Sequence, residues 1–240
     1  DIARTADAIG FSMKIAGSEM ERAFDVLVTQ GKAGKFELKD MARYLPSLAP
    51  AAAAVGLRGV DGLNKLAAML QTIRQQTGTA EEAATAMTNV FQKMETEETA
   101  KKFKKFGIDL RKEMAKARKE GRDLTEVFLD LSDQALKGDL SKLPQLFADQ
   151  QFATGMRALL SNRQGLRAFI AEINKAGGAV ARDLKAPAND AASAIQRLSN
   201  AWDGALRSFG AAADAGGVTS FLKTISEGAD GAAEDMRRLG

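Results

Sequence analysis

Apolar residues in this chain of 240 recur at steps of three and four almost from end to end, and nowhere alternate with polar ones over a usable length. Three-and-four spacing paints a stripe down one side of an α-helix, whereas a strand with one wet face needs a period of two. This pattern restricts the fold to helices that pack by their stripes. Composition points the same way: Ala, Leu, Met, Lys, Arg and Glu are abundant, with one Trp, one Tyr and four Pro. Such residues lose little freedom in a helix. The expected class is all-α, a multi-helix bundle of short helices with an extended C-terminal coiled-coil-like helix.

The cleanest stripe runs from Pro187 to Ala212, PANDAASAIQRLSNAWDGALRSFGAA. Ala188, Ala191, Ile195, Leu198, Trp202, Ala205, Phe209 and Ala212 form an unbroken apolar seam, with Arg197, Asn200, Asp203 and Arg207 off it. Pro187 suits a first helical turn, where its missing N–H would have no partner anyway. A helix with this seam needs a surface to lie on. That surface is either the chain's own core or a second copy of the chain.

Glycine and proline punctuate the rest. Residues 1–31 read as an irregular helical region with Met20, Phe24, Leu27 and Val28 on one face, stopped by Gly31 and Gly34. A short helix from Phe36 to Tyr44 leads to YLPSLAPAAAAVG. There Pro46 starts a new helix, Pro50 lies in its first turn or at a kink, and Gly56 and Gly59 end it. Val60 to Gln76 gives a face of Leu63, Leu66, Ala67 and Leu70. Thr79 with Glu82 has the spacing of a capping box and opens a helix to Met94. Thr96 and Thr99 open a short helix closed by Gly107, and Asp123 caps one ended by Gly138. Another starts at Ser141 or Leu143 and runs through Leu160, and Asn162 caps the next before Gly177-Gly178. The expected division is a helical lead-in at 1–35, a compact helical domain at 36–180, and the seam helix with a helical tail at 187–240.

Chemistry is constrained mainly by what is missing. Histidine and cysteine are both absent, which removes the usual general base, the usual metal ligand and any thiolate or disulfide. Glu81-Glu82 and Glu97-Glu98 fall at helix starts, where they complement the helix dipole. No catalytic residue, cofactor or metal site is expected. No apolar run approaches the roughly 20 residues that span a bilayer. A net charge of +3 is too small to argue for a nucleic-acid partner by itself. The run KKFKKFG concentrates Lys101, Lys102, Lys104 and Lys105, which read either as a patch for phosphates or an anionic membrane, or as a solvated helix face beside Glu95, Glu97 and Glu98. The chain begins at Asp1 without a Met and reads as a piece of something longer.

Several stretches, in order, resemble the tape measure proteins of long-tailed bacteriophages and related prophage particles. They are GKFELKDMARYLPSLAPAAAAVGL, TGTAEEAATAMTNVFQKM, the Lys-rich turn KKFKKFGIDL, LTEVFLDLSDQA, LPQLFADQQFATGMRALLSN and LSNAWDGALRSFG. The last is the most specific, since the family's helix likewise carries Leu-x-x-Ala-Trp before a terminal Gly, and the likeness covers roughly 24–212. The resemblance implies a non-enzymatic structural protein that sets tail length, occupies the tail lumen or tip of the virion, and is released when the DNA is ejected. It implies partners in tail tube, distal tail and tail tip proteins, in assembly chaperones, in further copies of itself as a trimer on the tail axis, and in host membrane and DNA during ejection. Assembly would take place in the host cytoplasm. Two readings from other classes stand beside it: a membrane-active helical toxin-like protein, and an enzyme working through carboxylates.

Overall fold

The computed structural model describes residues 9–172. Residues 9–13 are helical, and a 3-10 turn at Gly17–Glu19 leads into α1 (Met20–Ala33). Then follow α2 (Leu38–Ala54), α3 (Gly59–Arg74), α4 (Ala80–Lys93), α5 (Glu97–Lys105), α6 (Leu110–Lys119) and α7 (Leu124–Leu136). A second 3-10 turn, Leu140–Lys142, runs into the single-turn α8 (Leu143–Leu146), and α9 (Gln150–Ser161) and α10 (Arg163–Ala171) complete the described chain. Among the described residues there is no strand, so the class is all-α as the periodicity requires. The seam helix lies outside them.

The bundle is organised around α3. Apolar side chains surround nearly its whole circumference, from Val60 and Leu63 through Leu66, Ala67, Ala68, Met69, Leu70 and Ile73, all buried. A helix that is apolar all round has to be enclosed. Helices α1, α2, α4, α9 and α10 enclose it. The most extensive helix pair is α4 with α9, which approach closely because Gly155 faces Ala86 and Val90: a Cβ at Gly155 would lie 2.8 Å from Val90 Cγ2. The described part of the 1–35 segment shares this core, with Ile9, Met13, Met20, Phe24 and Leu27 buried in the same cluster as the later helices.

Four phenylalanines hold the second half together. Phe103 on α5, Phe128 on α7, Phe147 just after α8 and Phe152 on α9 form a continuous cluster of mostly tilted rings, with centroids 5.5 Å apart for Phe103–Phe128 and 4.6 Å for Phe147–Phe152. Such pairs add about 0.5–1.5 kcal/mol each beyond area burial. The hairpin α5–α6 is therefore anchored by its apolar side, with Phe103, Leu110, Met114 and Ala117 all buried.

Local signals place most helix starts. Thr79 accepts from Glu82 N–H at 3.1 Å, Thr96 from Thr99 N–H, Asp109 from Lys112 N–H, Asp123 from Thr125 and Glu126, and Asn162 from Gly165. The reciprocal half of the Thr79 box is shifted by one residue, since the Glu82 carboxylate accepts from Gly78 N–H at 2.8 Å.

Three boundaries differ from the sequence expectation. Helix α2 runs unbroken through Pro46 and Pro50 instead of restarting at Pro46. Both prolines stand away from the core, half-buried and exposed respectively, while Leu45, Leu48, Ala49 and Ala52 fill the inner face. The missing N–H groups therefore fall on the side water can reach, where they cost least. Gly31 does not stop α1, which continues to Ala33. The helix expected from Ser141 or Leu143 through Leu160 is broken at Phe147, whose extended backbone drops the ring into the phenylalanine cluster, and Asp149 recaps α9 by accepting from Phe152 N–H at 2.8 Å.

Candidate interaction surfaces

The Lys101–Lys105 run sits on α5, and the basic character continues through α6 to Arg122. Phe103 is buried and Phe106 half-buried, so the aromatic positions of the run face inward while Lys101, Lys104 and Lys105 are exposed and Lys102 is half-buried. On α6, Arg111, Lys112, Lys116, Arg118 and Lys119 are exposed as well. The acidic neighbours neutralise only part of this array. Lys101 pairs with Glu97 at 2.9 Å, and Arg118 holds both oxygens of Glu95, at 2.8 and 2.9 Å. Lys116 and Arg122 lie 4.0 Å from Glu120. Lys102, Lys104, Lys105, Arg111, Lys112 and Lys119 have no ion-pair partner among the described residues. A shallow cleft of about 260 Å³ between the two helices brings together Lys101, Lys104 and Arg111, with Glu97 and Asp109 also on its wall.

A second polar feature was not evident from the sequence. Three amides sit inside the core where α1, α3 and α10 meet: Gln30, Asn64 and Gln71 are all essentially fully buried. Gln71 bridges the α1–α2 connection. Its Nε2 donates to the carbonyls of Gln30 at 2.6 Å and Phe36 at 2.7 Å, and its Oε1 accepts from Phe36 N–H at 2.9 Å. Gln30 Nε2 donates to Asn64 Oδ1 at 2.7 Å and to the carbonyl of Phe169, and Asn64 Nδ2 donates to the carbonyl of Ile170 at 2.8 Å. The end of α10 is thus held by side chains from α1 and α3. Gln30 Oε1 is buried without a partner among the described residues. The only sequence signal for this node is that Asn64 and Gln71 lie seven residues apart on the otherwise apolar α3, and so share a face.

An ion-pair network closes the outer side of α3. Lys65 meets Asp123 and, at 3.5 Å, Glu126; Arg163 meets Glu126 at 2.5 Å and Asp130 at 2.7 Å. Burial pushes the Asp123 carboxyl up, but the hydrogen bonds and charge of Lys65, the Thr125 hydroxyl and the Glu126 N–H outweigh it and hold the group below the ordinary aspartate range. Asp149 is also held low, first by Lys93 at 2.6 Å and then by the Phe152 N–H. These are structural contacts that tie one helix start to another element.

Among the described residues no group of acidic side chains is arranged to hold a metal ion, and no helix is long and apolar enough to cross a membrane. The seam residues Ala188, Ala191, Ile195, Leu198, Trp202, Ala205, Phe209 and Ala212 lie outside the described residues.

A family model described as phage-related minor tail protein matches residues 1–160. The chain is 33% identical over 142 residues to a protein described as a probable tape measure protein from Burkholderia phage BcepMu, a match covering 58% of this chain and 17% of that protein. The match therefore spans well under two thirds of that relative. No solved structure matches this chain.

Proposed function

Because the chain belongs to the phage-related minor tail protein family, we propose that it is a segment of a tape measure protein, which sets tail length, occupies the tail lumen or tip, and leaves when the DNA is ejected. The observation that carries this reading is the similarity to the BcepMu tape measure protein over 142 residues. Its partners on this reading are tail tube, distal tail and tail tip proteins, assembly chaperones and further copies of itself.

Within such a protein this segment is not the measuring rod. A ruler converts residues into length through continuous helix at about 1.5 Å per residue. The longest described helix, α2, has 17 residues, and five of the other described helices fold back around α3. We place the segment at an end of the tail or in a widened part of the lumen, with copies meeting around the axis as a trimer through the seam from Ala188 to Ala212. It carries no catalytic activity of its own; cleavage of peptidoglycan that one Glu→Gln change abolishes would contradict that.

An in-frame deletion tests the placement. Removing about 28 residues within 80–180 should break the bundle and stop tail assembly, whereas the same loss from a rod would shorten the tail by about 42 Å at helical rise. Viable particles with tails shortened by that amount would overturn the reading. For the seam, Trp202→Asp should weaken self-association of the purified chain, since it puts an unpaired charge into a buried stripe.

A further inference from the structure

We propose that the exposed face of the α5–α6 hairpin binds the phosphate backbone of duplex nucleic acid without reading its sequence. Residues 101–122 carry ten basic and three acidic side chains, a local net charge of +7. The whole chain carries +3, so everything outside these 22 residues sums to −4. The net positive charge of the sequence is therefore carried by one helical hairpin, the rest of the chain being net negative. Six of the ten cations have no ion-pair partner among the described residues, and five of those, Lys104, Lys105, Arg111, Lys112 and Lys119, are exposed.

The geometry selects among polyanions. An amphipathic helix that enters a lipid surface needs an apolar face free to insert. Here those faces are already used: Phe103, Leu110, Met114 and Ala117 are buried against the bundle. Single-stranded nucleic acid is bound by exposed aromatic platforms on which bases stack. The hairpin's two aromatics are Phe103, buried, and Phe106, half-buried, so it has no such platform. What remains is a rigid array of point charges, and duplex nucleic acid presents the densest matching array, one negative charge per roughly 1.7 Å of axis. Seven of the ten cations are lysines, and of the three arginines Arg118 is held by Glu95. Lysine contacts phosphate as a compact point charge on a flexible stem, without the rigid fork that fixes bidentate recognition, so the binding is insensitive to sequence. The inference rests on charge and burial and does not depend on the tape measure reading.

The test uses the purified 240-residue chain and a fluorescent 25-base-pair DNA duplex, read by anisotropy. Binding should be equal for two unrelated duplex sequences. It should fall by about two to three decades between about 50 and 200 mM salt, as for release of four to six phosphate counterions. Reversing Lys104, Lys105, Lys112 and Lys119 to Glu should lower affinity at least tenfold at constant salt. Reversing Lys35, Arg58, Arg157 and Arg167, exposed cations elsewhere, makes the same change in net charge and should leave most of the affinity. If the hairpin reversal fails to fold by circular dichroism, the corresponding Lys→Gln set takes its place, with a loss of the same direction expected. The proposal is overturned by equal loss from both sets, by no duplex binding at about 50 mM salt, or by binding to phosphatidylglycerol vesicles in preference to the duplex.

Discussion

Gln30 on α1 donates a hydrogen bond to the carbonyl of Phe169 on α10, 139 residues further along the chain. With Asn64 reaching the neighbouring carbonyl of Ile170, the last turn of the last described helix is capped by side chains from two others. Helix C-termini leave carbonyls without intrahelical partners, and here two of them are satisfied inside the core. Asn64→Leu removes the side-chain donor to the Ile170 carbonyl, leaving it only the Glu172 N–H of its own helix end, and takes away one contact of Gln30. It should cost about 1–3 kcal/mol in urea unfolding, the price of leaving a buried polar group unpaired. Native-state hydrogen exchange should show the loss first in α10.

Gln71 should be less replaceable still. It satisfies the Phe36 N–H and the carbonyls of Phe36 and Gln30 at once. Gln71→Leu should destabilise by about 3 kcal/mol or more, measured by equilibrium denaturation. Gly34 belongs to the same unit, because a Cβ there would lie 2.1 Å from Gln71 Oε1. Gly34→Ala should therefore be costly in the native protein and much less so in a Gln71→Ala background, which removes both the Oε1 and the Cδ at 2.7 Å. A double-mutant cycle with no coupling between the two sites would contradict this account.

At the α4–α9 contact, Gly155→Ala should destabilise by about 1–3 kcal/mol through overpacking. The clash is with Val90 Cγ2 at 2.8 Å and with the Ala86 carbonyl at 3.1 Å. Val90→Ala in the same chain should recover part of the loss, because it removes the closer of the two atoms. Thermal melts of the four variants read this directly.

Stability should also fall at the acid end. Asp123 and Asp149 both titrate below the ordinary aspartate range in the folded chain. A depressed carboxylate contributes stability that is fully present above the unfolded-state value near pH 4, and that stability is lost as pH falls through the lower folded-state value. Urea midpoints should therefore drop below about pH 4. Asp123→Asn should be less stable than the native chain at pH 7, with the gap narrowing as the pH falls below that range. A gap that widens on acidification would contradict the assignment.

What could be read in the sequence was whatever is decided within a few residues. Thr79, Thr96, Asp123 and Asn162 cap the helices their spacing predicts, because a cap is a contact over two or three positions. The Lys run and its inward phenylalanines were equally legible. Pro46 and Pro50 were misread because their local bias against a helix is overridden by the burial of Leu45, Leu48, Ala49 and Ala52 on the opposite face. The break at Phe147 was missed for a similar reason: Leu143, Leu146 and Phe147 keep helical spacing, as do Met156, Leu159 and Leu160, and only the ring cluster from three other helices explains why the chain turns out between the two sets. The extent of the basic surface needed the fold as well, since Glu95 and Glu97 pair with Arg118 and Lys101 and leave the other lysines of the run without an ion-pair partner among the described residues. The amide node joins residues 34 to 139 positions apart, beyond the reach of any periodicity.

That node has a mechanical meaning. Helix α10 is the last described element before the chain continues, and its final carbonyls are fastened to α1 and α3. Tension on the chain beyond residue 172 is delivered first to those bonds, and through Gln30 to the far end of the sequence. Peeling α10 away would uncover the amides of Gln30 and Asn64 together with Leu166 and Phe169. The bundle should therefore resist a pull as one body up to a threshold and then open from this corner, rather than paying out helix by helix.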